Sequence, residues 1–182
     1  GEKGLFGVTL DYEMPEPATL ENHAVLSFDG GSATNAVPAL ARAVVSVSVD
    51  KLPQAERISV EPCEEGSLIT ATGISGHASL PEGTVNAIGV LCQYLANLDQ
   101  CSDEEKDWFS FVANNLAGDY TGSRLGIAAK DDDFGALTSV AGTMYKNGNS
   151  YLVTIDIRFP KAITGADLLE AFEDIAGKIV AR

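Results

Sequence analysis

Apolar and polar residues alternate along much of this chain, which is the pattern of β-strands that bury one face. In residues 6–12 apolar side chains occupy every second position, and two prolines then end the run. The turn sequence at 63–66 and the Asn-Gly pair at 147–148 each separate two such runs, so they predict two hairpins. The strands predicted from this pattern are residues 6–12, 24–28, 41–49, 58–62, 67–74, 137–145 and 151–159.

Apolar residues at helical spacing predict three helices between and after these strands. The first helix is expected to begin at residues 83–84. The second begins at a capping box formed by Ser102 and Glu105, and Thr164 and Asp167 have the same spacing ahead of the last helix. The apolar stripe of that last helix consists of Leu168, Leu169, Phe172, Ile175, Ile179 and Val180.

The succession of hairpins and helices predicts an α+β fold, with antiparallel sheets that carry helices packed on one face. A loop, an alternating strand and a helix follow one another around residues 35–56 and again around 137–180, which indicates a faint duplication. We therefore predict a ferredoxin-like βαββαβ unit and a second pseudo-repeat, with subdomains at residues 24–57 and 66–182. Because no linker separates the two, they are expected to form one structural domain.

The chain is acidic, which disfavours two classes of partner. It carries 26 acidic and 12 basic side chains, and the formal net charge of −14 repels nucleic-acid phosphates and anionic lipid surfaces. No apolar run approaches the ~20 residues that a membrane span needs. Cys63, Cys92 and Cys101 form no C-x-x-C pair, and their odd number argues against a disulfide framework, so we expect a cytoplasmic location.

Three polar residues are the main candidates for a binding or catalytic role. His77 follows a predicted strand and has small neighbours, so another molecule can approach its imidazole; a histidine satisfied by backbone is the alternative. Asn35 is either a turn former or a donor to a substrate oxygen. Arg158 is either a surface ion pair or a clamp for a carboxylate. We interpret His23 as structural.

No metal or nucleophile motif is recognisable in the chain. A zinc site requires three or four His, Cys or carboxylate ligands at coordinating spacing, and two isolated histidines and three scattered cysteines do not supply them. Ser79 lacks the sharp turn that exposes a catalytic serine. The Gly-Gly-Ser sequence at 30–32 lacks the lysine of a phosphate-binding loop. We therefore assign no metal ligands in this chain.

The stretch around His77 resembles a known family. GISGHASLPEGTVNAIGVL is similar to the segment that opens the smaller domain of the di-zinc exopeptidases and deacylases: carboxypeptidase G, succinyl-diaminopimelate desuccinylase, aminoacylase and the PepV-like dipeptidases. GGSATNAVPALARAVVSV and YLVTIDIRFP resemble two further stretches of that domain, and the doubled unit is similar to the PepV-like form. The matching positions of the first stretch are Gly73, His77, Ser79, Pro81, Asn86 and Ala87.

The resemblance implies that residues 1–182 are the lid domain of a zinc-dependent dipeptidase, excised from a longer chain. His77 would stabilise the oxyanion of the tetrahedral intermediate, Asn35 would support the same substrate, and Arg158 would bind its C-terminal carboxylate. Zinc, its ligands and the general base would lie in a catalytic domain of the same polypeptide. The lid alone is therefore expected to hydrolyse neither a dipeptide nor an N-acyl amino acid.

Two alternatives remain open at this point. An amino-acid deacylase or desuccinylase would have the same kind of lid, and a non-catalytic dimerisation module would carry His77 incidentally. One stretch departs from the family pattern, because relatives often have Leu-Thr-x-Asn-x-Gly where residues 137–142 read LTSVAG. The resemblance also implies a final strand after the last helix, beyond the end of this sequence.

Overall fold

The computed structural model describes residues 2–18 and 22–180, apart from the side chains of 176–180. Segments with a period of two form the long strands, and amphipathic segments form the helices. The strands are β1 Gly4–Glu13, β2 Val25–Gly30, β3 Ala36–Val37, β4 Leu40–Val45, β5 Ile58–Cys63, β6 Gly66–Thr72, β7 Gly76–His77, β8 Lys130–Asp131, β9 Gly135–Ala136, β10 Thr138–Asn147 and β11 Ser150–Phe159. The helices are α1 Ala87–Ala96, α2 Asp103–Phe111, the π-helix Val112–Ala117 and α3 Gly165–Val180, with 3-10 turns at Val49–Lys51 and Ser123–Leu125.

Seven strands form one antiparallel sheet in the order β1-β11-β10-β2-β4-β6-β5. Strands β5 and β6 pair as a hairpin, and so do β10 and β11, which confirms both predicted hairpins. The short ribbons β3–β7 and β8–β9 lie outside this sheet. Helices pack against the sheet, so the predicted α+β fold is confirmed. Strands from both predicted subdomains, 24–57 and 66–182, share the one sheet.

The helices pack on one face of the sheet. Phe6 and Tyr12 point to the same side of β1, because they are an even number of residues apart. Trp108 of α2 stacks on Tyr12 with ring centroids 4.3 Å apart, and Phe172 of α3 stacks on Phe6 at 6.1 Å. The alternate residues of β1 face the other side of the sheet, where Leu5 is 62% exposed. One sheet face therefore carries the core, and the opposite face is open.

Helix α1 begins later than predicted, at Ala87 instead of residues 83–84. The side-chain oxygen of Asn86 accepts hydrogen bonds from two amides of the first helical turn, at 2.9 and 3.3 Å, so Asn86 is the N-cap. Just before it, Val85 exchanges backbone hydrogen bonds with Ile74, which keeps the chain extended. The predicted start was wrong because this contact is not visible in the local pattern.

Strand β4 ends at Val45, although the alternation of apolar residues predicted a strand to residue 49. The carbonyl of Val47 accepts a 2.6 Å hydrogen bond from the side-chain hydroxyl of Ser67 in β6 instead of from a backbone amide. The chain then turns through the 3-10 segment Val49–Lys51. The alternation continues past the strand because Val47 is still buried in the core.

Both predicted capping boxes are present. The hydroxyl of Ser102 accepts from the amide of Glu105 at 3.1 Å, and the Glu105 carboxylate accepts from the amide of Ser102 at 2.9 Å. Thr164 and Asp167 make the same reciprocal pair, with both distances 3.1 Å. These caps begin α2 and α3 at the residues that the spacing predicts.

The predicted apolar stripe of α3 is buried in part. Leu168, Phe172 and Ile175 are buried against the sheet, whereas Leu169 is 50% exposed. The side chains at 179 and 180, which complete the predicted stripe, lie outside the described residues. None of the helices in the described part of the chain has the length and apolar character needed to cross a bilayer.

Candidate functional site

The β3–β7 ribbon brings two of the predicted site residues together. In its antiparallel register Ala36 lies directly opposite His77. The carbonyl of Asn35 accepts a 2.9 Å hydrogen bond from the amide of Ala78, the residue after the histidine. Asn35 and His77 are both exposed. Their backbones are therefore close together, and another molecule can reach both side chains.

The ribbon is anchored on strand β10 by a small apolar cluster. Val37, Ala78 and Val140 are fully buried against one another. The backbones also approach closely, because a Cβ added to Gly142 would lie 2.6 Å from the carbonyl oxygen of Thr34. Glycine at 142 thus allows the loop before β3 to lie directly on β10. The exposed residues of the ribbon are consequently held on a packed base.

Hydrogen bonds within its own loop set the orientation of the His77 ring. The hydroxyl of Ser79 lies 2.7 Å from Nδ1, and the amide of Ser79 donates to the same nitrogen at 3.1 Å. A backbone amide can only donate, so Nδ1 must accept, and a neutral ring then carries its proton on Nε2. Nε2 has no hydrogen-bond partner among residues 2–18 and 22–180. The ring therefore presents one unused N–H donor.

Arg158 is held by a carboxylate on its own strand. Its Nε donates to Oδ1 of Asp156 at 2.8 Å, and its Nη2 donates to Oδ2 at 3.1 Å. These hydrogen bonds raise the pKa of the Arg158 guanidinium, which stays charged. The bidentate contact fixes the plane of the guanidinium and leaves Nη1 without a partner in the described part of the chain. The ion pair, one of the two alternatives from the sequence, is therefore present, and the clamp for a substrate carboxylate stays a prediction.

Arg158 and the ribbon lie on the same side of the sheet. Asp156 and Arg158 point to one face because they are two residues apart, and Val140 lies directly opposite Asp156 in the β10–β11 register. Ala141, the next residue, belongs instead to the core under the helices. Since Val140 packs against the ribbon, the ribbon that carries His77 stands over the open face, where the guanidinium also lies.

The part of the chain that the structure describes does not fit a metal centre. Across the described ranges, no group of three or more His, Cys, Asp or Glu side chains lies close enough together to hold a metal ion. His77 is bonded to Ser79 and Arg158 to Asp156, so neither has the ligand set that zinc requires. Within residues 2–18 and 22–175, the side chains therefore supply no ligand set for a zinc ion.

Reasoning from the sequence missed two hydrogen-bond partners of the candidate residues. Ser79 fixes the histidine ring, and Asp156 fixes the guanidinium. Each lies two residues from the group that it holds. On strand β11 the period-two rule places Asp156 on the same face as Arg158, so this pair was detectable. The contact of Ser79 with Nδ1 depends on the conformation of the loop and was not.

The comparisons relate this chain to the dipeptidases. It is 32% identical over 185 aligned positions to the Bacillus subtilis (strain 168) protein named "Putative dipeptidase YtjP", covering 94% of this chain and 39% of that protein. It is 28% identical over 174 positions to the "Beta-Ala-Xaa dipeptidase" of Lactobacillus delbrueckii subsp. lactis, covering 88% of this chain and 36% of that one. The chain therefore spans less than two fifths of the length of either relative. No family model matches it.

Proposed function

We propose that residues 1–182 form the substrate-binding lid domain of a zinc-dependent dipeptidase, with pseudo-repeats at 24–57 and 66–182. The observation that carries the proposal is the exposed imidazole of His77, whose Nε2–H is unused by the rest of the described chain. An oriented donor with no internal partner suits a group that serves another molecule. The similarity to two proteins named as dipeptidases supports the same class.

In this role His77 donates from Nε2 to the carbonyl oxygen of the scissile peptide bond. When water adds to the carbonyl carbon, that oxygen becomes an oxyanion, and a donor fixed in advance stabilises it most at that stage. The side-chain amide of Asn35, the residue just before β3, offers a second polar contact to the same substrate. The proximity of the two residues in the chain fold supports this shared role, since the backbone carbonyl of Asn35 accepts from the amide of Ala78, next to the histidine.

Arg158 binds the C-terminal carboxylate of the substrate. Asp156 occupies one edge of the guanidinium, so Nη1 at the other edge is the group that receives the carboxylate. Asp156 also neutralises much of the local charge, which makes the contact directional and limits nonspecific binding of anions. A dipeptide offers both features in one small molecule, a peptide carbonyl and a free carboxylate.

The metal and the general base belong to a catalytic domain of the same polypeptide. The relatives are more than twice as long as the matched region, which leaves room for such a domain. The proposal therefore expects the isolated chain to hydrolyse neither dipeptides nor N-acyl amino acids. A cytoplasmic location, inferred from the three free cysteines, stays a prediction.

The deciding experiment replaces His77 by alanine in the longer protein and measures dipeptide hydrolysis. Loss of one oxyanion donor is expected to lower kcat by about 10²–10³, with a much smaller change in KM. Leu80→Ala is the matched control, because Leu80 is 72% exposed in the same loop and has no donor group. An unchanged kcat in His77→Ala would indicate a non-catalytic module. Faster hydrolysis of N-acyl amino acids than of dipeptides would assign a deacylase instead.

A further inference from the structure

A cavity lies on the open face of the sheet, beside the β3–β7 ribbon, and Arg158 does not line it. Its volume is about 320 Å³, and it is bounded by β2, β4 and the segment that leads into β3. Its charged lining residues are Asp29 of β2 and Arg42 of β4, which lie directly opposite each other in the β2–β4 register. Directly opposite residues share a face, so both charges project to the open side.

The two charges do not pair with each other. Among the described residues neither the Asp29 carboxylate nor the Arg42 guanidinium has an ion pair or a side-chain hydrogen bond. Asp156 and Arg158 behave differently, since they form a close bidentate pair on one strand. An exposed ion pair adds only ~0–1 kcal/mol to stability, so folding does not require Asp29 and Arg42 to meet. Both groups keep their hydrogen-bonding capacity for a ligand.

The rest of the lining favours a small molecule with an apolar body. Pro38 and Leu40 line the cavity, and Leu40 is 41% exposed there. The hydroxyl of Ser75 also lines it and donates to the carbonyl of Val37 at 2.7 Å, so its oxygen can still accept a hydrogen bond. A volume near 300 Å³ lies at the small end of the range of ligand sites, about 300–1,000 Å³.

We propose that this cavity binds a zwitterion, a free amino acid or a short peptide, with its ammonium group at Asp29 and its carboxylate at Arg42. A plain anion is disfavoured because Asp29 stands in the same cavity and the chain carries a net charge of −14. A plain cation is disfavoured by Arg42. Only a ligand with both charges a few bonds apart satisfies both groups at once. The site is independent of the proposed roles of His77 and Arg158.

The test titrates the purified chain with L-alanyl-L-alanine and follows its backbone amide resonances by NMR. Saturable shifts are expected for amides around Asp29, Arg42 and Ser75. N-acetylation of the peptide removes the ammonium group and C-terminal amidation removes the carboxylate, and each is expected to weaken binding about tenfold, or about 1.4 kcal/mol. L-alanine, titrated in parallel, distinguishes a site for a single amino acid from one that requires a peptide.

Substitutions locate the binding. Asp29→Asn and Arg42→Gln should each weaken it about tenfold, whereas Asp11→Asn and Arg124→Gln, which remove the same charges at exposed positions elsewhere, should leave it unchanged. His77→Ala and Arg158→Gln should also leave the binding unchanged. A failure of this binding site can therefore be distinguished from a failure of the proposed catalytic role. The proposal is overturned if no saturable shift occurs, or if binding is lost in Arg158→Gln but kept in Asp29→Asn and Arg42→Gln.

Discussion

The two histidines of this chain have similar surroundings at one ring nitrogen and opposite surroundings at the other. Nδ1 of His77 lies 2.7 Å from the hydroxyl of Ser79, and Nδ1 of His23 lies 2.6 Å from the hydroxyl of Ser102. Nε2 of His23, however, is 2.8 Å from the carbonyl oxygen of Pro15, whereas Nε2 of His77 has no partner in the described residues. The difference separates a histidine used by the fold from one left for another molecule.

The surroundings of His23 explain why it is structural. Its side chain is only 17% exposed and lies beside Glu105, the fully buried acid of the α2 capping box. The Glu105 carboxylate also accepts hydrogen bonds from the amides of Ala24 and Val25, at 2.7 and 2.8 Å. These contacts form the His23 network, which ties the start of β2 to the start of α2. The His77 side chain, in contrast, is bonded only to Ser79 of its own loop among the described residues.

The largest expected effect is loss of stability when Glu105 is replaced by alanine. The substitution leaves the buried amides of Ala24 and Val25 without acceptors and breaks the cap, so the free energy of unfolding should fall by about 3–5 kcal/mol. Urea unfolding followed by circular dichroism measures it. Asp107→Ala is the control on an exposed position of the same helix and should cost far less. Equal losses of unfolding free energy in Glu105→Ala and Asp107→Ala would contradict the structural role assigned to the His23 network.

Replacing His23 by alanine should lower the stability but not the turnover, which is the reverse of the effects expected for His77→Ala. Two hydrogen bonds, to Ser102 and Pro15, are lost, and the free energy of unfolding should fall by about 1–2 kcal/mol. His77→Ala should change it by less than about 0.5 kcal/mol, because the ring is exposed and bonded only to its own loop. In the longer protein, His23→Ala should leave kcat unchanged. A fall in kcat without a loss of stability would show that the assignment of the two rings is reversed.

Ser79→Ala should have a smaller effect on turnover than His77→Ala. The hydroxyl contact with Nδ1 is lost, but the amide of residue 79 still donates to the same nitrogen, so the proton stays on Nε2. We expect kcat to fall by about three- to tenfold through looser orientation of the ring, with unchanged stability. Steady-state kinetics on the longer protein checks this, with Leu80→Ala as reference. A loss as large as that of His77→Ala would mean that Ser79 itself touches the substrate.

The smallest effect at neutral pH concerns Cys101, beside the His23 network. Burial, and then the charge of Glu105, raises the pKa of this thiol from 9.0 to about 12. The unfolded chain loses the proton first, so stability is complete below pH 9.0 and falls as the pH rises from 9.0 towards about 12. Urea midpoints across this range measure the slope. Burial also raises the pKa values of Cys92 and Tyr151, so Cys101→Ala should make the slope shallower without abolishing it. An identical slope in that variant would assign the effect to the other groups.

Several elements were predictable because they depend on neighbours in sequence. The capping boxes at Ser102 and Thr164 form as their spacing predicts, and the Asn-Gly turn joins β10 to β11. The start of α1 was not predictable, since it depends on the pairing of Val85 with Ile74. The end of β4 depends likewise on a hydroxyl from the following hairpin. Each miss involves a contact between segments that are separate in the sequence.

The amino-acid sequence by itself determined the strands, the hairpins, the α+β class and the three candidate residues, because hydrophobic period and residue type are local properties. Only the tertiary structure decided what those residues face. It brought the backbone of Asn35 next to that of Ala78, paired Arg158 with Asp156 and left the side chains of Asp29 and Arg42 without a partner among the described residues. The reason is physical: whether a donor is used or free depends on which distant groups the fold brings within about 3 Å of it.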